Sequence, residues 1–478
     1  MDINWHILFN ELFLIGLAMG VVVLDIFTDR RKNSGNLLAN VGLAGLVLLF
    51  FKMICCPSVQ GTTLHGSFVQ DGISQFFKVL FVLSAIFVLQ MIKAYQSQLK
   101  RGMSEFVVLV LLSLIGLFFL SSANDFILFF ISLETFTVSM YIMVSYLVDH
   151  QKSIEAGLKY LILGALSTAL FLFGFSFIYG SSLSTNFGAI QEKIVALNGV
   201  PLAFNFGAIL VLSSLLFKIA AFPFHAWAPD VYEGAPTPVT AYLSMASKAA
   251  GFVALIRFMV TFMEPILSQL SMVFAILAVF TILYGNLGAI PQTNIKRLLG
   301  YSSIGHSGYL LIGLATFAAS GKFAILYYLM GYMVSAACGF LAIICVCRLT
   351  RTEEIHELAG LAVRSPLLAT AVLISLLSLA GIPPLVGFFA KFYILFSSVE
   401  AGLLWLTVFG SLNVIVSMYY YLKVVKAMYL DTATNTQPIS LTFFEKSFQY
   451  VSIAAVLVLG IYQAPLAQWT QVIFQNIK

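Results

Sequence analysis

Lys218, Lys248 and Lys391 each stand inside a long apolar stretch, in a chain where only 9% of residues are charged. An ammonium at the centre of a bilayer costs roughly 3 kcal/mol. A lysine in a dry site can release and regain a proton near neutral pH, because desolvation penalises its charged form. One such lysine could snorkel from a helix end or satisfy a broken helix; three at these positions point to proton chemistry. Glu134, in Phe129-Phe130-Ile131-Ser132-Leu133-Glu134-Thr135, supplies a carboxylate in the same kind of surroundings. It must protonate or face a cation, and Lys218 is its natural partner. At about 6 Å and an effective dielectric of about 20, the two attract by roughly 3 kcal/mol, equivalent to about two pKa units. Motion of the carboxylate can then decide whether the lysine keeps its proton. The competing reading is a static ion pair that ties two helices together.

Lys248 sits among Ser244, Ala246, Ser247, Ala249, Ala250 and Gly251, small residues that permit close packing or leave room for water. It is placed to take a proton from Lys218 through water, and Lys391 to pass one toward the outer side. His225 follows Lys218 by seven residues, on the same helical face if the intervening proline does not rotate it. His306 lies in Tyr301-Ser302-Ser303-Ile304-Gly305-His306. Either histidine could relay protons, with a reference pKa near 6.5, or be a satisfied structural group. The polar, proline-rich turn of Pro229, Asp230, Tyr232, Glu233, Pro236 and Pro238 reads as loop structure, and Asp125 as interfacial.

The elements that position these groups are membrane helices. The 478 residues are 60% apolar, above the range of about 45–50% usual for soluble domains. About 20 apolar residues cross a bilayer as a helix. Fourteen segments qualify, at roughly 7–27, 36–55, 73–94, 104–122, 125–148, 156–180, 205–227, 238–262, 268–289, 298–317, 323–348, 366–398, 403–430 and 446–464. The fold class expected is therefore an all-α polytopic membrane protein. Met1 to Asn10 has no basic run of the kind that opens a cleavable signal peptide, so the first segment reads as a membrane helix.

Lysines and arginines collect in the loops after odd-numbered segments. Sixteen of the twenty-five lie there, including Arg30, Arg31, Lys32, Lys100, Arg101, Lys152, Lys159, Lys296, Arg297 and Arg351. Six lie on the opposite side: Lys52, Lys78, Lys193, Arg257, Lys322 and Lys478. The bias places the odd loops in the cytoplasm and both termini outside. Prolines interrupt the seventh segment at Pro223 and the twelfth at Pro383 and Pro384. Such breaks are tolerated at membrane depth only against protein or a wet cavity. The two lie five segments apart, and a repeat of five helices inverts in the membrane. The expected division is 1–100 for helices 1–3, 101–264 for the first repeat (helices 4–8), 265–430 for the second (helices 9–13) and 431–478 for helix 14.

Cys55, Cys56, Cys338, Cys345 and Cys347 lack zinc or iron–sulfur spacing, and no haem, flavin, nicotinamide or metal motif is visible. No cofactor is expected in this chain. No basic run interleaved with aromatics suggests nucleic-acid binding.

The run from Phe217-Lys218-Ile219-Ala220-Ala221-Phe222-Pro223-Phe224-His225-Ala226-Trp227 through Pro236-Thr237-Pro238-Val239 strongly resembles the antiporter-like membrane subunits of respiratory complex I (NADH-quinone oxidoreductase). So does Lys296-Arg297-Leu298-Leu299-Gly300-Tyr301-Ser302-Ser303-Ile304-Gly305-His306. Ser247-Lys248-Ala249-Ala250-Gly251-Phe252 follows the subunit N pattern, where the L and M subunits usually carry a histidine and a threonine–methionine pair. The resemblance spans essentially the whole chain. It implies fourteen helices, two inverted five-helix repeats and broken helices 7 and 12. It implies that Glu134 and Lys218 are the paired acid and base of a proton path, Lys248 its connecting lysine and Lys391 the lysine of helix 12. It further implies a bacterial inner-membrane location, neighbouring antiporter-like and small membrane subunits as partners, and FMN and iron–sulfur clusters in other subunits. The second reading is a subunit of a multi-subunit cation/proton antiporter, which would use the same lysines.

Overall fold

The computed structural model describes residues 4–28, 34–56, 59–99, 102–196, 200–262, 267–316, 319–350, 352–432 and 439–475. Arg30, Arg31, Lys32, Lys100, Arg101, Arg351 and Lys478 lie outside the described residues, as do the division points at 100/101 and 264/265. Three helices come first: α1 (Phe9–Phe27), α2 (Ser34–Cys55) and α3 (Gly72–Tyr95). Next are α4 (Met103–Ser122), α5 (Phe126–Val144), α6 (Gln151–Ser182), a short α7 (Phe187–Ala196) and a broken passage made of α8 (Leu202–Lys218) and α9 (Trp227–Gly234). The eighth passage joins α10 (Thr237–Tyr242) to α11 (Lys248–Phe262) through a wide, π-helical turn, Leu243–Ser247. Then follow α12 (Leu267–Ala289), α13 (Ile295–Thr316), α14 (Ala319–Thr350), a short α15 (Leu361–Arg364) and a second broken passage, α16 (Pro366–Ala380) and α17 (Val386–Glu400). The chain closes with α18 (Leu404–Tyr429), α19 (Phe443–Ile461) and α20 (Ala464–Gln475).

Eleven helices among the described residues are long and apolar enough to cross a membrane. With the two broken passages and the more polar α13 they make the fourteen expected. Local chemistry sets their ends. Asp71 caps α3 through a capping box with Ser74, Asp125 caps α5, Thr442 and Glu445 box the start of α19, and Pro366 opens α16, each satisfying or removing an N–H that the first turn leaves free. The close spacing of α4 and α5, marked in sequence by Ser121, Ser122, Asn124 and Asp125, is a real break with Asp125 as its cap.

Two elements lie outside the expected pattern. A hairpin, β1 (Gly61–Thr63) with β2 (Phe68–Gln70), follows α2, a small addition to an otherwise helical fold. α20 buries Leu466 and Ile473 and sets Trp469 against Phe76, ring centroids 5.1 Å apart. The hairpin marks one end of the bundle; Lys152, Lys159 and Arg297 mark the other, here termed the basic end.

The eighth passage and α14 are wholly buried inside the bundle and form its axis. α12 and α13 pack backbone to backbone, since a methyl on Gly285 would run into the Gly305 amide. Two helix pairs are clasped in the same way. Phe126 N donates to Thr185 O (2.9 Å) and Phe187 N to Asn124 O (3.1 Å), tying the start of α5 to the end of α6. Ile295 N donates to Glu353 O and Ile355 N to Thr293 O (both 2.8 Å), tying the start of α13 to the end of α14 in the same two-bond pattern at the basic end.

Lys78 was counted from sequence among the charges on the side opposite the odd loops. It lies inside α3, fully buried, with Nζ 2.5 Å from Glu11 on α1 and 2.5 Å from Gln70 Oε1. The rings of Phe68 and Phe118 stand 4.9 and 5.8 Å away. Beside it, Arg257 of α11 grips both Asp71 oxygens at 2.6 Å and donates to Ser121 O. These contacts fasten α1–α3 and the hairpin to α4 and α11. Removing one partner of such a buried pair leaves an uncompensated charge at a cost of about 3–5 kcal/mol, whereas replacing both by apolar residues is often neutral. Lys78→Met is therefore expected to lower the disassembly temperature of the purified complex on native gels. Glu11→Leu added to it should recover most of the loss, and a double variant no better than the single one would contradict the pairing.

Candidate functional site

The site begins where α8 stops. Pro223 cannot continue the helix, so the carbonyls of its last turn lose their usual donors. Ala220 takes the left-handed conformation (φ 54°), uncommon for a residue with a side chain, and the Phe222–Pro223 bond is cis. Trp227 Nε1 donates to Phe217 O at 3.1 Å and Ser307 Oγ to Ile219 O at 2.7 Å. Lys218, the last residue of α8, is buried. Its Nζ donates to Thr137 Oγ1 at 2.9 Å and lies 3.7 Å from Glu134 Oε1, both on α5. At that separation opposite charges attract by about 4 kcal/mol at an effective dielectric of about 20. Glu134 also accepts from Thr168 Oγ1 of α6 at 2.9 Å, and its side chain keeps 21% exposure on the flank of the bundle.

The second cluster surrounds Lys248. Its Nζ donates to Ser303 O (2.5 Å) and Ser307 Oγ (2.7 Å) on α13, with the Tyr332 ring 5.3 Å away. The wide turn immediately before it is a rare form that gathers at functional sites. Ser307 thus joins Lys248 to the carbonyl next to Lys218. His306 stands beside Ser307 on α13; its Nδ1 meets Tyr328 Oη at 2.5 Å and its Nε2 meets Tyr421 Oη at 3.1 Å. Tyr421 also shares a short hydrogen bond with Ser302 Oγ. One turn back on α18, Ser417 Oγ lies 3.5 Å from Lys391 Nζ. Lys391 itself donates to Ala380 O, the last carbonyl of α16, at 2.9 Å, and its ammonium lies 5.0 Å from the Tyr309 ring centre. Gly381 supplies the left-handed turn (φ 89°) of this second break, and Pro383–Pro384 is cis. A cleft of about 380 Å³ lined by Phe388, Phe392, Phe396 and Val414 reaches Lys391 from the flank of α17 and α18.

The structure therefore brings Glu134 to Lys218, and Lys248, His306 and Lys391 to one buried polar line. It does not bring His225 to them. Eight irregular residues separate α8 from α9, so the seven-residue spacing no longer defines a face; His225 stacks on Phe222 (5.5 Å) and lies tilted against Tyr284 (3.7 Å), and its Nδ1 has no hydrogen-bond partner among the described residues. Thr137, Thr168, Ser303, Ser307, Ser417, Tyr328 and Tyr421 were not singled out from sequence. The spacing of Ser303 and Ser307 around His306 was the one signal available for two of them. Among the described residues no cluster of three or more His, Cys, Asp or Glu could hold a metal ion.

At the basic end, Asp230 and Glu233 of α9 do more than shape a loop. Asp230 binds Lys159 and Arg297 (2.7 Å each), and Glu233 binds Lys152 (2.8 Å) and Arg297 (2.9 Å). These residues line a cleft of about 200 Å³ together with Glu155 and Ala156.

The family model described as NADH:quinone oxidoreductase/Mrp antiporter, TM, matches residues 123–417. NADH-quinone oxidoreductase subunit N of Moorella thermoacetica is 40% identical over 468 residues, which cover 98% of this chain and 97% of the relative. A chain of respiratory complex I from Thermus thermophilus with bound aureothin has a TM-score of 0.79 at 28% identity, covering 96% of this chain and 98% of that one. A chain of the Mrp complex from Dietzia sp. DQ12-45-1b has a TM-score of 0.83 at 20% identity, covering 98% and 96%; this last likeness concerns the fold alone.

Burial tends to raise the carboxyls of Asp230 and Glu233, but the hydrogen bonds and charges of Lys159, Lys152 and Arg297 outweigh it and hold both below their ordinary values. Carboxyls depressed in the folded state stabilise it above their unfolded values of about 4, and the contribution disappears as pH falls through the lower folded values. Arg297→Gln removes the partner they share, so both carboxyls rise. The variant should then be less stable than the wild type at pH 6, and thermal stability of the purified complex should fall less steeply between pH 6 and 3, because less carboxylate stabilisation is left to lose. An unchanged acid edge would show that the cluster is not coupled to stability.

Proposed function

We propose a proton-translocating role for this chain, which belongs to the antiporter-like membrane subunits of NADH-quinone oxidoreductase, within the subunit N group. The quinone reduction that drives transfer occurs in other subunits of the complex, where FMN and iron–sulfur clusters reside. Neighbouring antiporter-like and small membrane subunits cover its flanks. The basic end faces the cytoplasm of a bacterial inner membrane, and both termini lie on the outer side, as the distribution of lysine and arginine favours.

Glu134 controls the proton on Lys218. Lys248 receives it through Ser307, His306 and Tyr421 carry it on, and Lys391 delivers it toward the outer half. The observation that carries this reading is the gathering of separate hydrogen-bonded groups along the buried axis: Lys218 3.7 Å from Glu134, Lys248 on Ser307 at 2.7 Å, His306 between Tyr328 and Tyr421 at 2.5 and 3.1 Å, and Lys391 on Ala380 O at 2.9 Å and near Ser417 at 3.5 Å. His225 takes no part. The chain divides into 1–100, a first five-helix unit over 101–264, an inverted second unit over 265–430, and 431–478; the matching clasps at α5–α6 and α13–α14 support the repeat. The strength of the Glu134–Lys218 attraction suits the task, because moving one charge against about 150 mV requires roughly 3.5 kcal/mol. Identity over nearly the full chain favours this role over cation/proton exchange by an independent antiporter.

Lys218→Ala and Glu134→Gln are each expected to leave the complex assembled on native gels. Both should abolish most donor-driven acidification of inverted membrane vesicles, read with a pH-sensitive dye. Acidification at the wild-type rate by either variant would refute the switch.

A further inference from the structure

Protons must reach Glu134 from the basic end, and the seam between α5 and α6 offers features the line described above does not use. Ala156, Tyr160, Gly164 and Thr168 recur at every fourth residue of α6, one above another on one face. Ala156 lines the charged cleft at the basic end, and Thr168 bonds Glu134. Between them, Tyr141 of α5 inserts its hydroxyl where a side chain at 164 would begin: a Cβ on Gly164 would collide with Tyr141 Oη. That hydroxyl is buried and has no hydrogen-bond partner among the described residues. Tyr160 stands edge-on to Tyr141 with ring centroids 4.9 Å apart, and its hydroxyl interacts with Ser247, the residue before Lys248. Glu134 lies near enough to act electrostatically on both tyrosines.

A buried hydroxyl without a partner costs about 1–3 kcal/mol, and nothing in the packing compels one here, since phenylalanine would fill the same ring volume. Gly164 and Thr168 are one helical turn apart, and the Thr168 hydroxyl leans back to within 3.1 Å of Gly164 O, on the same stretch of α6 that Tyr141 Oη meets. The Thr168 hydroxyl has a choice of acceptors, Glu134 Oε1 at 2.9 Å or Gly164 O at 3.1 Å, so it can turn from the seam toward the carboxylate.

We infer that Tyr141 is a positioning residue for proton uptake: its hydroxyl, held in the space left by Gly164, orders a hydrogen-bonded route from the cytoplasmic cleft along α5 and α6 to Glu134. It accepts a hydrogen bond from the cleft side and donates its own proton toward Thr168 and Glu134, so no net charge stays on the ring. This rests on the reading of Glu134 as the proton-accepting carboxylate. The titratable groups facing the hydroxyl are Glu134 on its own helix and Tyr160 on α6, with Lys218 of α8 beyond Glu134.

The test uses the whole complex in inverted membrane vesicles, driven by its own electron donor, with Tyr141→Phe and Gly164→Ala compared with Glu134→Gln. Tyr141→Phe deletes only the oxygen; Gly164→Ala displaces it from the opposite helix. Both are expected to assemble normally and to lower the initial acidification rate several-fold. The defect should widen as the external pH rises from 6.5 to 8.5, because proton supply then limits uptake, and Tyr141→Phe should add no further loss to Glu134→Gln. A packing role would change assembly or melting and leave the pH profile alone. Wild-type rate and profile in Tyr141→Phe beside a defective Glu134→Gln overturn the tyrosine while leaving the carboxylate. Normal pumping by Glu134→Gln overturns both. Failure of both Tyr141→Phe and Gly164→Ala to assemble assigns the hydroxyl to structure and also overturns the inference.

Discussion

Hydrocarbon offers no hydrogen bonds to a backbone carbonyl, and the arrangement of this bundle follows from that constraint. An unbroken membrane helix satisfies itself. Two passages here are broken by proline, and each break releases carbonyls at mid-depth that must find donors from neighbouring helices. Ser307 takes Ile219 O and Lys391 takes Ala380 O, while Trp227 adds a second donor to Phe217 O, which also accepts from Ala220 N. Donors are thus drawn to the breaks, and the buried axis of α10–α11, α13 and α14 is where they can be held. A polar line through an apolar protein results from closing the hydrogen bonds of two interrupted helices.

The same accounting separates the buried lysines by kind. Lys78 sits against Glu11, Gln70 and two phenylalanine rings, a fixed pair that would strand a buried carboxylate if the amine lost its proton. Lys248 and Lys391 have only neutral acceptors among the described residues: a carbonyl and a serine hydroxyl each, with a tyrosine ring nearby. Loss of a proton from either leaves no counter-charge behind. Lys218 is intermediate, with a threonine at hydrogen-bond distance and a carboxylate slightly beyond it. Lys248 and Lys391 therefore have no carboxylate at hydrogen-bond distance among the described residues, whereas Lys218 has Glu134 3.7 Å away.

The lysines, Glu134, both breaks and the spans were legible because each is a one-residue or one-segment signal: a charge in an apolar run, a proline in a helix, a length. What was not legible depends on tertiary proximity. Lys78 lies near the start of its span and was counted only as a charge of that side; contact with Glu11, far earlier in the chain, marks it as an interior ion pair. His225 was tied to Lys218 by helical spacing, a rule that fails once residues 219–226 leave the helix. The strands at Gly61–Thr63 and Phe68–Gln70 are three residues long, too short for alternation to register. Ser303 and Ser307 look like ordinary small residues of a packed membrane helix until Lys248 and the Ile219 carbonyl are placed beside them.

The two breaks need different donors because side chains lean toward the N-terminus of their helix. Lys391 lies in the second turn of α17, so its amine leans back toward the break and reaches the exposed end of α16. Lys218 is the last residue of α8, and the same lean carries its amine away from its own break, toward Thr137 and Glu134 on α5. The carbonyls behind it are left to Trp227 and Ser307. The first break therefore releases its lysine for a carboxylate and recruits a serine that also serves Lys248, whereas the second keeps its lysine for the backbone. One geometric rule, applied to a lysine before one break and after the other, places one amine beside a carboxylate and the other in a neutral cradle.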